Sequence, residues 1–251
     1  MSKLSAKYFF WTFGIMLLCW GTCIAFSMNG ISLTNNSFLY IPYILGGFSP
    51  TIASYILLKQ NGQVKSLKGW LKGIFDFKHK PTTYTFVIAL SIAYVLPLCL
   101  ISGYHQSAPL YFMLLLVPQM IVGGGMEEAG WRHILQPELE KRFNFAISTI
   151  IVSVIWWLWH LPLFLMAGTA QFDKNFWTFG ISVLGLSFAL SAIKKKTNST
   201  WLCILFHAFA NAWSGLYMVN DHILGTVVSS AALILISSAW VKMGGGNKLR
   251  T

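Results

Sequence analysis

Two adjacent carboxylates, Glu127 and Glu128, follow a triple glycine, Gly123 to Gly125, at the end of a long apolar run, in a chain with seven acidic residues in all. A carboxylate inside a bilayer costs roughly 2.5–3.5 kcal/mol on insertion scales, so a neighbouring pair persists there only where pairing or function offsets that cost. Arg132, His160, His207 and Asn211 are the residues able to offset it. On a helix, neighbours diverge by about 100° while residues four apart share a face. Glu128 is therefore expected to pair with Arg132, leaving Glu127 to face a cavity and a partner on another segment. That partner is His160, in Trp156-Trp157-Leu158-Trp159-His160-Leu161-Pro162, where the proline loosens the helix and leaves backbone carbonyls for water or substrate. His207 and Asn211 are also four apart, and both can donate hydrogen bonds. Aimed at one point in a dry site they suit the stabilisation of an oxyanion. Glu127 can then take a proton from water while His160 orients that water or passes the proton on.

Singly, each group has an ordinary explanation: a membrane histidine more often satisfies a helix–helix contact, and Glu128 with Arg132 reads as a structural pair. What singles them out is complementarity, because three segments deep in apolar spans each supply a different piece. The remaining histidines, His79, His105, His133 and His222, fall in loops or at boundaries and read as solvated.

These residues need elements to hold them, and composition says which kind. The 251 residues are 55% hydrophobic and 10% charged, with a mean hydropathy of +0.61, against about a quarter charged in a soluble domain. Apolar runs of about 20 residues, long enough for about 30 Å of hydrocarbon, lie near 8–28, 38–58, 82–102, 109–128, 146–166, 175–193, 201–219 and 222–241. The expected fold is all-α, a polytopic transmembrane bundle of about eight spans. A span ending at 128 would leave Glu127 at the membrane edge and His160 some 20 Å deeper at about 1.5 Å per residue. The fourth helix is therefore expected to run on to about Leu135, with the three glycines permitting close helix approach. After the glutamates, Trp131 to Phe143 mixes apolar and charged residues and reads as interfacial, with a break near Pro137.

With the amino terminus cytoplasmic and directions alternating, every lysine and arginine except Lys174 falls on the inner side. Both termini are then cytoplasmic, in a multi-pass cell membrane. The same partition accounts for the net charge of +11 without nucleic acid, since inner loops face anionic lipid. Within the loop at about 59–81, Leu67, Trp70, Leu71, Ile74 and Phe75 recur at helical spacing among lysines, as in an interfacial amphipathic segment. The four cysteines, Cys19, Cys23, Cys99 and Cys203, lie in apolar spans and read as buried side chains, not a disulfide framework. The first run has no clear cleavage site after it and reads as a retained helix. Residues 1–251 form one transmembrane domain in this reading, with the chemistry-bearing core at about 109–219.

Glu127-Glu128-Ala129-Gly130-Trp131-Arg132 matches an EExxxR motif, Trp156 to His160 an FxxxH motif with tryptophan in place of phenylalanine, and His207 to Asn211 an HxxxN motif. In order and separation these resemble the CPBP family, the CAAX proteases and bacteriocin-processing enzymes also called the Abi family. The resemblance implies a metal-free intramembrane glutamate protease in which Glu127 and His160 activate water, His207 and Asn211 form the oxyanion hole, and Glu128 and Arg132 support them. It implies a peptide or membrane-protein substrate, such as a CAAX-ended protein or a bacteriocin or pheromone precursor, and the short chain leans toward a bacterial plasma-membrane enzyme. The tryptophan at 156 departs from the pattern at what reads as a packing position. Two rivals remain. Glu127, His160 and His207 are also the donor set of a catalytic zinc site, and a non-catalytic immunity or scaffold protein could carry the same groups.

Overall fold

The computed structural model describes residues 3–220 and 222–243; Lys248 and Arg250, assigned above to the inner side, lie outside the described residues. The chain is a helical bundle. A long first helix, α1 (Lys3–Met28), is followed by α2 (Tyr40–Gly47) and α3 (Ser49–Gln60), bent at Phe48, and by the short α4 (Leu67–Ile74) and the long α5 (Pro81–Ser102). Next comes one extended helical course, Leu110–Glu140, made of α6 (Met113–Val122), a 3-10 turn (Gly125–Glu127), α7 (Glu128–Gly130), a π turn (Trp131–Leu135) and α8 (Gln136–Glu140). Four further helices follow among the described residues: α9 (Phe145–Trp159), α10 (Phe176–Thr197), α11 (Thr200–Leu216) and α12 (Ile223–Lys242).

The fourth helical course thus extends to Glu140, past the expected Leu135, so both glutamates sit well inside it. The break expected near Pro137 is the π turn just before it. Proline tolerates the first helical turn because its missing N–H would be unpaired there anyway, so α8 starts afresh at Gln136. The interfacial reading of this stretch is corrected in part. Trp131, Arg132, Ile134, Leu135 and Gln136 are buried, and only from Glu138 onward do charged side chains reach the surface.

Among the described residues, six helices are long and apolar enough to cross a membrane, or seven if the bent pair Ser37–Gly47 and Ser49–Gln60 counts as one span. That is fewer than eight, and the difference is α11, which has 17 residues. It is buried along most of its length among other helices, so it needs neither the length nor the all-round apolarity of a lipid-facing span. It runs beside α5. Trp201 Nε1 at its start donates to Tyr84 Oη (3.2 Å), and Trp213 Nε1 donates to Ser91 Oγ (3.1 Å). Beyond the far ends of both helices, β1 (Tyr104–Gln106) and β2 (Tyr217–Val219) pair antiparallel, with His105 opposite Met218, a hairpin-like clasp not read from the sequence.

The interior centres on indole rings. Trp20, Trp131, Trp156 and Trp159 are fully buried, with Trp159 packed between Trp20 (4.6 Å between centroids) and Trp131 (5.8 Å). The amphipathic segment at 67–74 is a helix capped by Ser66, whose Oγ accepts from Gly69 N (3.2 Å). Its apolar face is turned into the protein: Trp70 and Ile74 are buried, and Trp70 Nε1 donates to Ser54 Oγ of α3 (3.3 Å). All four cysteines carry free thiols.

Candidate active site

The site is built where the 110–140 course passes α9 and α11. Thr51 of α3 anchors the approach by donating from Oγ1 to Met126 O (2.7 Å), one residue before the first glutamate. The glycines make room. A side chain at Gly124 would lie 2.5 Å from Asn211 Nδ2 and 3.3 Å from His207 Nε2, and one at Gly125 would lie 2.8 Å from Ile204 O. Only residues without a Cβ let the turn sit this close to α11, as expected for closely packed membrane helices.

The two glutamates face different surroundings. Glu128 is fully buried; its Oε2 lies 3.2 Å from Arg132 Nη1, one helical turn on, and its Oε1 lies 2.8 Å from His207 Nδ1. Arg132, also fully buried, donates from Nη2 to Ser187 Oγ on α10 (3.0 Å) and lies over the Trp156 ring, 4.9 Å from its centroid. The i,i+4 pair expected from spacing is present, and it has a third member the sequence did not show. A carboxylate only accepts hydrogen bonds, so Nδ1 of His207 is the donor and carries a proton. Its Nε2 is turned toward Gly124, beside Asn211.

Glu127 instead lines a cavity of about 410 Å³ together with His160, His207 and Asn211. Its Oε2 accepts a hydrogen bond from Trp156 Nε1 (2.7 Å). The tryptophan read above as a packing residue therefore touches the carboxylate directly. His160 caps α9, and the chain tightens there: His160 N donates to Trp157 O (3.1 Å), one residue short of the regular helical partner. The Trp156 carbonyl is thereby released, and His160 Nδ1 lies 2.7 Å from it. A carbonyl only accepts, so Nδ1 carries the proton and, in the neutral ring, Nε2 keeps its lone pair. This is the local effect expected of Pro162, which starts a 3-10 turn (Leu161–Leu165) in place of another α turn.

Part of the remaining cavity wall comes from the amino-terminal part of the chain, which carries none of the motifs. Trp20, Tyr43, Phe48 and Thr51 line it, as do Trp159 and Phe179. Ile44 of α2 and Val122 of α6 also line it while remaining 52% and 57% exposed, so the cavity reaches the outer surface of the bundle between those helices. Hydropathy alone could not find these residues. The signal that could have flagged Trp156 was visible: an indole in place of a phenyl ring adds one donor within reach of a carboxylate.

Of the remaining histidines, His105 and His222 are exposed, as expected. His133 is not. It is half-buried, and its Nδ1 lies 2.9 Å from Thr200 Oγ1 at the start of α11. Among the described residues no three histidine, cysteine, aspartate or glutamate side chains gather closely enough to hold a metal ion together.

The sequence model described as Rce1-like, type II CAAX prenyl endopeptidase Rce1-like, matches residues 109–213, the stretch from the start of the 110–140 course to the end of the HxxxN segment. The protein named CAAX prenyl protease 2 from Methanococcus maripaludis is 25% identical to this chain, over 92% of this chain and 91% of its own length. A polytopic helical bundle with this match is a membrane protease of the CAAX type. Both likenesses support membership of the CPBP family, the CAAX proteases and bacteriocin-processing enzymes.

Proposed function

We propose that this protein hydrolyses a peptide bond near the end of a membrane-associated substrate, with Glu127 and His160 activating water and His207 and Asn211 holding the oxyanion. The observation that carries the reading is the single cavity lined by all four side chains. Water within it would give a proton to Glu127, with its second hydrogen held by the lone pair on His160 Nε2. The water oxygen then bonds to the scissile carbonyl carbon, and the carbonyl π electrons move onto oxygen, where Asn211 Nδ2 and His207 Nε2 can donate. Donation from Nε2 requires the doubly protonated imidazole. In that form Glu127, Glu128, Arg132 and His207 sum to zero charge, as a buried cluster should. Collapse breaks the C–N bond, and Glu127 returns its proton to the leaving amine.

The relatives' names supply a substrate class, a prenylated CAAX end. The exposed Ile44 and Val122 at the cavity mouth suit a substrate tethered in the bilayer by a lipid chain. Residues 1–251 act as one transmembrane domain whose motif-bearing core is about 109–219. The basic loops suit a cell-membrane protein, bacterial in the reading from sequence, with both termini cytoplasmic. The reaction proposed here uses no metal, and the chelator arm of the test below decides between it and the zinc alternative.

The test is hydrolysis of a quenched fluorescent peptide with a farnesylated CAAX end by the purified full chain in liposomes. Wild type is expected to cleave it, with a rate unchanged by a chelator, and Glu127→Gln is expected to lose at least about a thousandfold in kcat while remaining folded. Chelator-induced loss restored by zinc would replace this mechanism with the zinc one. A Glu127→Gln protein that sustains the cellular phenotype at normal abundance would favour a scaffold or immunity role.

A further inference from the structure

We infer that Trp156 is a positioning residue for the reaction, holding the Glu127 carboxylate with its indole N–H and the His160 ring with its backbone carbonyl. The inference rests on the reading of Glu127 as the base. An indole N–H can only donate, so the 2.7 Å contact fixes Oε2 of Glu127 and leaves its other oxygen for water. The Trp156 carbonyl, freed by the tightened end of α9, fixes which nitrogen of His160 carries the proton. One residue thereby sets the orientation of both groups that would handle the water.

The ring cannot easily turn away from this task. It is 2% exposed, with the Arg132 guanidinium over its face at 4.9 Å and the rings of His207 and His160 at 5.3 and 5.6 Å, both edge-on. With Glu127, its surroundings thus include four of the six candidate catalytic and supporting groups. A phenylalanine here, the residue of the FxxxH pattern, would keep the carbonyl contact and lose the indole donor.

The experiment separates the N–H from the ring. Trp156→Phe removes both the donor and part of the volume. Replacement of Trp156 by benzothienylalanine, through genetic code expansion, keeps the bicyclic shape and puts sulfur where the N–H was. With the farnesylated peptide in liposomes, both variants are expected to lower kcat roughly tenfold or more, the worth of one hydrogen bond to a charged group. KM should stay within about twofold, and the melting temperature of the benzothienylalanine protein within a few degrees, because binding and packing are kept. In a sample carrying 15N-labelled tryptophan, the Trp156 indole proton resonance is expected to move upfield in Glu127→Gln. Wild-type kcat in the benzothienylalanine protein, or an unmoved indole resonance, would overturn the inference. A dead Glu127→Gln beside a fully active benzothienylalanine protein would overturn it alone; hydrolysis surviving in Glu127→Gln would overturn the reading beneath it as well.

Discussion

Residues 127 and 128 are consecutive, yet the two sides of the helical course they belong to are different materials. On the Glu128 side, a carboxylate, a guanidinium, an imidazole and a serine hydroxyl close on one another with no exposed atoms on Glu128 or Arg132. On the Glu127 side, the carboxylate has one indole donor and otherwise opens on a cavity shared with His160 and Asn211. A rotation of about 100° along one helix separates a charge whose partners are all protein from one left free to meet water. The sealed side is also not idle: through His207, whose ring touches both Glu128 and the cavity, it positions a group that faces the open side.

The sharpest way to break this contrast is Arg132→Ala. It strands a fully buried carboxylate, so it should cost on the order of 3–5 kcal/mol of stability, read as a fall in melting temperature of the detergent-solubilised protein. A variant with unchanged melting temperature and no activity would mean the sealed side serves chemistry and not folding. Asn211→Ala acts on the open side. It removes one oxyanion donor and should lower kcat about a hundredfold or more, with stability nearly unchanged; a loss confined to KM would move Asn211 from transition-state to substrate binding. The smallest expected effect is that of Gly124→Ala, whose methyl would press on Asn211 Nδ2 and His207 Nε2. Gly124 lies outside the helices, at the cap of the 3-10 turn, and the atoms its methyl meets are side-chain ends that can shift, so folding should survive while kcat falls about tenfold through misplacement of the two donors. Wild-type turnover in that protein would show that the turn and α11 can part without harm.

How much was legible in advance follows the range of each interaction. Glu128 with Arg132, and His207 with Asn211, were readable because four residues along a helix fix a shared face whatever surrounds it. The depth of Glu127 was recoverable too, since the conflict with His160 pointed to a longer fourth helix. The misread residues share one cause. His133 looked like a boundary residue until α11 brought Thr200 to it. Trp131 to Gln136 looked interfacial because the charges after them mask a buried stretch. Helix α11 looked like an ordinary span, but it is shorter and shielded by its neighbours.

From its residue order alone, the chain determined that it would be a helical membrane protein, which side chains would share a helix face, and which few polar groups had to find one another beneath the lipid surface. Apolar length and helical period are local properties, set by covalent geometry and the absence of water. Only the tertiary structure decided that His207 binds Glu128, that Trp156 donates to Glu127, and that helices without a single motif residue wall the cavity. Those contacts depend on how far each helix is turned and how deep it sits. Many turns and depths bury the same apolar surface equally well, and the close packing of small residues and indoles selects one of them.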